Sequence, residues 1–112
     1  MSTKRGNQFD DDVLVEDRTS DKSKSEKATP RMWKVLLHND DFTTMEFVVA
    51  VLTTVFHHNE EDAHRIMLAV HQRGIGVAGL YPFETAEAKC ARVLDLARQR
   101  NYPLMCSIEP EA

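Results

Sequence analysis

Val35-Leu36-Leu37-His38-Asn39-Asp40-Asp41-Phe42-Thr43-Thr44-Met45-Glu46-Phe47-Val48 is the stretch on which the fold turns. With Met32 and Trp33 ahead of it, the apolar run predicts a strand over 32–38. Asn39-Asp40-Asp41 is turn chemistry, because Asn and Asp side chains hydrogen-bond backbone amides just downstream. Thr43-Thr44-Met45-Glu46 has the spacing of a capping box. In that arrangement the Thr43 hydroxyl accepts from the Glu46 amide and the Glu46 carboxylate reaches back to the Thr43 amide. Phe42 then stands where it can staple against Phe47. Phe47, Val48, Val51, Leu52, Val55 and Phe56 recur at helical spacing and predict a first helix running to about His58. Strand, turn and helix thus follow with no spacer, and three polar residues sit at the mouth of an apolar patch.

Downstream, Asn59 reads as the cap of a second helix. Glu60, Glu61 and Asp62 place negative charge in its first turn, where the helix dipole favours it. Ala63, Ile66, Met67 and Val70 form its apolar stripe, and Gly74 is its expected left-handed stop. Ile75–Tyr81 predicts a second strand, with Gly76 and Gly79 where another group can approach closely. Pro82-Phe83-Glu84 opens a third helix to about Asn101, with Ala86, Cys90, Val93, Leu94 and Ala97 facing inward. Pro103–Ile108 is the closing strand. The predicted fold class is α+β, a small α/β sandwich of order β-α-α-β-α-β whose three-stranded antiparallel sheet packs on helices.

Of the 112 residues, 1–31 differ in character from the rest. They hold seven basic and seven acidic residues and one aromatic, Phe9. Such a segment buries too little apolar surface to offset its chain entropy, so residues 1–31 are expected to be a disordered tail and 32–112 the domain. Val13-Leu14-Val15 is the only sticky spot in the tail. The formal charge of −4 falls on the domain. An acidic domain is a poor partner for nucleic acid, which needs a basic face. No long apolar run calls for a membrane, and no signal peptide is present. Cys90 and Cys106 lack CxxC spacing and read as free thiols in a core. The expectation is a cytoplasmic monomer without cofactor or metal.

The candidate site follows from spacing. Met67, Val70 and His71 stand at i, i+3 and i+4 on one helix face, and Met45 and Val48 at i, i+3 on the other helix. If those helices pack together, Met45, Val48, Met67 and Val70 wall one cavity, with His71 and Asn39-Asp40-Asp41 at its rim. That arrangement suits a small cation attached to a greasy group, such as the first residue of a polypeptide. Blander readings exist for each part: a plain turn, a structural histidine, methionine as core filler. A metal-assisted enzyme using Asp40, Asp41 and His71, with His57 or His58, is the alternative, but the spacing matches no metal motif. An acid–base pair of Asp40 and His71 has neither a nucleophile motif nor a phosphate loop beside it.

The stretch from Val35 to Val48 resembles the signature of the ClpS adaptor family. Met67-Leu68-Ala69-Val70-His71 and Pro103-Leu104-Met105-Cys106 resemble it too, in the same order, and the likeness covers about residues 30–109. The resemblance implies an adaptor, not an enzyme. It would bind substrates with destabilising amino-terminal residues (Leu, Phe, Tyr, Trp) and deliver them to the ClpA unfoldase of the ClpAP protease. By that resemblance Asn39, Asp40 and His71 bind the substrate α-amino group, and Asp41 and Thr43 lie by its first backbone groups. Met45, Val48, Met67, Val70 and Leu104 line the side-chain pocket, with Met45 as a gate against β-branched residues. Glu84 and Lys89 fall where the family docks on the amino-terminal domain of the unfoldase, and the tail is the segment needed for delivery. Two positions depart from the family pattern: Thr44 where many members have Pro, and Phe42 where many have Tyr.

Overall fold

The central strand is the first one in the chain. In the computed structural model, which describes residues 29–112, β1 (Met32–His38) lies between β2 (Ile75–Pro82) and β3 (Met105–Pro110), antiparallel to both. Three helices complete the order: α1 (Met45–Thr54), α2 (Glu60–Arg73) and α3 (Phe83–Gln99). Arg31–Ala112 packs as one unit. The tail expected at the amino terminus, with its Val13-Leu14-Val15 spot, lies almost wholly outside the described residues.

Alternation sorts the sheet. Val35 and Leu37 are fully buried under the helices, as period-two geometry requires of one strand face. Residues across from Leu36 and His38, namely Ile75, Val77 and Met105, stay exposed on the other side. The β1–β2 register shifts between Val35 and Leu36, from Gly79 to Val77, so Ala78 is an extra residue in β2. It is buried, and His58 Nε2 donates to its carbonyl at 2.6 Å, which meets the need of a bulge for an outside partner. The α2 stripe of Ala63, Ile66, Met67 and Val70 is buried as its spacing predicts.

The ends of the elements depart from the sequence reading in instructive ways. Thr44, not Thr43, caps α1: its Oγ1 accepts from Phe47 N at 3.1 Å. Thr43 is drawn away by Asp40, to which it donates both its amide and its hydroxyl. A carboxylate takes two donors from one threonine more strongly than a helix start takes one acceptor. The Phe42 staple does not form. Phe42 is 76% exposed, and Phe47 packs instead on Tyr102, centroids 4.9 Å apart. Helix α1 ends at Thr54 rather than near His58, because His57 takes a left-handed conformation (φ 60°). Val55 and Phe56 remain buried beyond the helix end, so their apolar pattern reported burial and not helicity. Helix α3 likewise stops at Gln99, before left-handed Asn101 (φ 61°). Strand β3 starts at Met105, after Pro103, which has no amide to give a ladder.

Gly74 closes α2 as expected, at φ 88°, with its amide on the Val70 carbonyl. The left-handed turn is what aims the chain back along β1. Both cysteines are free: half-buried Cys90 donates its thiol to the Cys106 carbonyl at 3.0 Å. Burial first, and the adjacent Cys90 second, push the Cys106 thiol far above its ordinary pKa.

Candidate functional site

Helices α1 and α2 do pack together, and between them and the turn after β1 lies a cavity of about 280 Å³. It is lined by Asn39, Asp40, Asp41, Thr43, Met45, Val48, Met67, Val70 and His71. Every residue singled out for the α-amino group, the first backbone groups and the side-chain pocket is there, except one. Leu104 is 3% exposed, sits in the same core cluster as Val48, Met67 and Val70, and is not among the residues that line the cavity.

The rim is built by hydrogen bonds. Asp40 Oδ1 accepts from the amides of Phe42 (2.8 Å) and Thr43 (2.7 Å), and Oδ2 from the Thr43 hydroxyl (2.7 Å). This is an Asx turn completed by a second threonine donor. Partial burial works to raise the Asp40 pKa, but these three donors outweigh it and hold the carboxyl below its ordinary 3.8. The side chain is therefore an anion at neutral pH. Asn39 is fixed from the other direction, its amide donating to the Gly74 carbonyl at 2.9 Å. That one bond ties the end of β1 to the end of α2 and sets Asn39 beside His71. Among the described residues, the side chains of Asn39 and His71 have no hydrogen-bond partner, so both face the cavity mouth with acceptors unclaimed.

Below the rim the wall is apolar. Val48, Met67 and Val70 are buried, while Met45 is 43% exposed and stands at the entrance. The volume lies just under the roughly 300–1,000 Å³ of pockets that hold drug-sized ligands. One large side chain is the scale it matches.

Glu84 and Lys89 lie elsewhere. They line a wider recess of about 470 Å³, with Thr54, Val55, His57 and Arg92 among its other residues. Lys89 Nζ donates to the Val55 carbonyl at 2.8 Å and sits 5.4 Å from the Tyr81 ring centroid. Helix α1 has no basic residue in its last turn, so Lys89 supplies the cation that the C-terminal end of the helix dipole favours. Burial lowers the Lys89 pKa. Burial, then Lys89 and His58, lower that of His57. The larger recess is more open to solvent, so the smaller, more enclosed cavity is the better candidate for a ligand.

The metal alternative finds no support in the geometry. His57 lines the other recess, His58 is bonded to Ala78, and among the described residues no three His, Cys, Asp or Glu side chains converge as a metal site. Sequence reasoning missed the Asn39–Gly74 bond, the role of Thr44 and the place of Arg92 and Thr54 by Lys89. For Thr44 the signal was present, since two successive threonines offered two possible caps.

Comparison with known proteins agrees with this picture. Residues 28–107 match the family model described as ATP-dependent Clp protease adaptor protein ClpS. An ATP-dependent Clp protease adapter protein ClpS from Nitratidesulfovibrio vulgaris (strain DP4) is 52% identical over 101 residues, covering 90% of this chain and 89% of that one. One from Desulfatibacillum aliphaticivorans is 60% identical over 82 residues, 73% of this chain and 79% of its own. Among solved structures, Agrobacterium tumefaciens ClpS2 bound to L-phenylalaninamide superposes with a TM-score of 0.71 at 39% identity, covering 73% of this chain and 99% of that one. With the fold, the cavity and these matches in agreement, the chain belongs to the ClpS family of adaptor proteins of the ATP-dependent Clp protease.

Proposed function

We propose that this chain captures proteins by a free amino terminus bearing Leu, Phe, Tyr or Trp and delivers them to a ClpA-type unfoldase of the ClpAP protease. It does so as a cytoplasmic monomer. The observation that carries the reading is a single cavity with an anionic, acceptor-rich rim over a buried apolar wall. The Agrobacterium relative bound to L-phenylalaninamide lends weight, since that ligand joins a free α-amine, a benzyl group and an amide.

The chemistry is direct. An α-amino group has a pKa near 8 and is mostly cationic at neutral pH. It carries three donors. A carboxylate has about four acceptor positions; the turn fills three on Asp40, which leaves one for the ammonium. Asn39 Oδ1 and an imidazole nitrogen of His71 supply the other two. Each charge-assisted bond contributes roughly 1.5–3 kcal/mol, and burial of a Leu or Phe side chain about 1.5–3 kcal/mol. Immobilising the peptide costs about 4 kcal/mol or more, so rim and wall must act together. An internal Leu lacks the ammonium, and a terminus with a polar side chain lacks the hydrocarbon.

The test is a set of fluorescent peptides identical but for residue one, with free or acetylated ends, read by anisotropy. Free Phe- and Leu-led peptides bind, and acetylation, which removes the charge and two donors, abolishes it. Equal affinity for both ends overturns the reading. Delivery is a separate step, assigned to residues 1–28 and to docking through Glu84 and Lys89. Deleting residues 1–28 leaves peptide binding intact and stops unfoldase-dependent degradation; a truncated protein that still delivers contradicts that assignment.

A further inference from the structure

Val70 is where the cavity wall meets the sheet. It lines the cavity, is 3% exposed, and its other side lies against Gly76 in β2. A Cβ on Gly76 would stand 2.7 Å from Val70 Cγ2, but at ordinary contact distance from Val70 N (3.5 Å) and the Ile66 carbonyl (3.6 Å). Of the positive-φ glycines in this chain Gly76 is not one, so the position serves close approach and not backbone freedom. The backbones of α2 and β2 already leave space for a methyl there. The single obstacle is the branched side chain of a cavity wall. Valine in a helix holds one strongly preferred rotamer, so it cannot swing aside, and its free side is the cavity.

We infer that Gly76 is a positioning residue that sets the depth of the cavity, and with it the bulk of the first side chain admitted, by letting Val70 seat against β2. The inference rests on the cavity being the holder of that side chain. A Cβ at position 76 moves Val70 by about 0.7 Å to regain ordinary contact, and the movement is taken from the ligand. A misfit of one methylene in an apolar pocket is worth roughly 10- to 200-fold. Trp and Phe, which need the full depth, lose first; Leu loses least.

Four proteins test it: the natural chain, Gly76→Ala, Val70→Ala and the double variant, each with free-amine peptides headed by Leu, Phe or Trp, and each with a melting curve. Gly76→Ala lowers affinity for Trp- and Phe-led peptides about tenfold relative to the Leu-led one. In the Val70→Ala background the same substitution leaves the ratio unchanged, because the clash is gone. A folded Gly76→Ala with an unaltered ratio overturns the inference and leaves the proposed function standing. Failure of the natural chain to prefer free over acetylated peptides overturns the proposed function itself. If Gly76→Ala does not fold, folding of the double variant supports the Val70 contact, and its failure to fold overturns it.

Discussion

The cavity beside Asn39 and the recess beside Lys89 both mix charge with apolar surface, yet they use their polar groups in opposite ways. At the cavity, internal hydrogen bonds pin Asp40, while the Asn39 and His71 side chains stay unclaimed over walls of buried Val48, Met67 and Val70. At the recess, the cation is committed to the fold: Lys89 closes the end of α1 through the Val55 carbonyl and lies by Tyr81. A small ligand needs preset donors or acceptors whose bonding capacity is free, and the cavity holds them over a buried apolar wall. The recess is wider, and its lysine is already bonded within the fold.

That contrast breaks most visibly at Asp40. Asp40→Asn keeps most of the side chain's shape and removes the anion, so free-amine peptides lose about 1.5–3 kcal/mol, roughly 10- to 100-fold. Unchanged affinity in anisotropy would mean the rim charge has no part in binding. At the entrance, Met45→Ala admits Ile- and Val-led peptides, raising their affinity about tenfold by removing a clash; continued exclusion in a peptide panel shows that Met45 is not the gate. The corrected cap sharpens the border between binding and folding. Thr44→Ala costs about 1 kcal/mol of stability and leaves peptide affinity alone, whereas Thr43→Val strips a donor from Asp40 and weakens binding. Urea unfolding and anisotropy on the two variants separate these roles.

On the recess side, Lys89→Met preserves packing against Tyr81 but loses a bond to a partly solvated carbonyl. Stability falls by about 1 kcal/mol or less, since solvent screens the charge. Peptide binding is unaffected and delivery drops; a delivery rate equal to that of the natural chain removes Lys89 from the docking surface. The smallest effect is the pH dependence of the Asp40 turn. Its folded pKa is depressed, so its stabilising contribution is complete above the ordinary 3.8 and is lost as pH falls through the lower folded value. Melting curves of the natural chain and Asp40→Asn therefore diverge at neutral pH and converge in strong acid. A constant gap across that range shows that the three donors do not favour the ionised form.

Much of this was legible in local spacing, and the misses share one cause. The α2 stripe, its Asn59 cap and its Gly74 stop were readable because each depends on neighbours within a turn or two. The Thr43 cap was misread although its motif was correct, because Asp40 competed for the same hydroxyl. Val55 and Phe56 kept helical period outside the helix, because burial and helicity are different demands. Leu104 is buried in the same core cluster as Val48, Met67 and Val70 but is not among the cavity-lining residues, a distinction its local sequence does not carry.

What the chain determined by itself was the inventory: which residues face inward, where each helix can start, and which acceptors follow β1. Those are nearest-neighbour matters of period, cap and turn, settled over a few residues. What only the tertiary structure decided was the cavity. It exists because the Asn39 amide meets the Gly74 carbonyl and because Gly76 lets Val70 rest on the sheet. The first joins segments far apart in sequence and the second joins a helix to the strand that follows it, and the geometry of each arises only when helix and sheet close on one another.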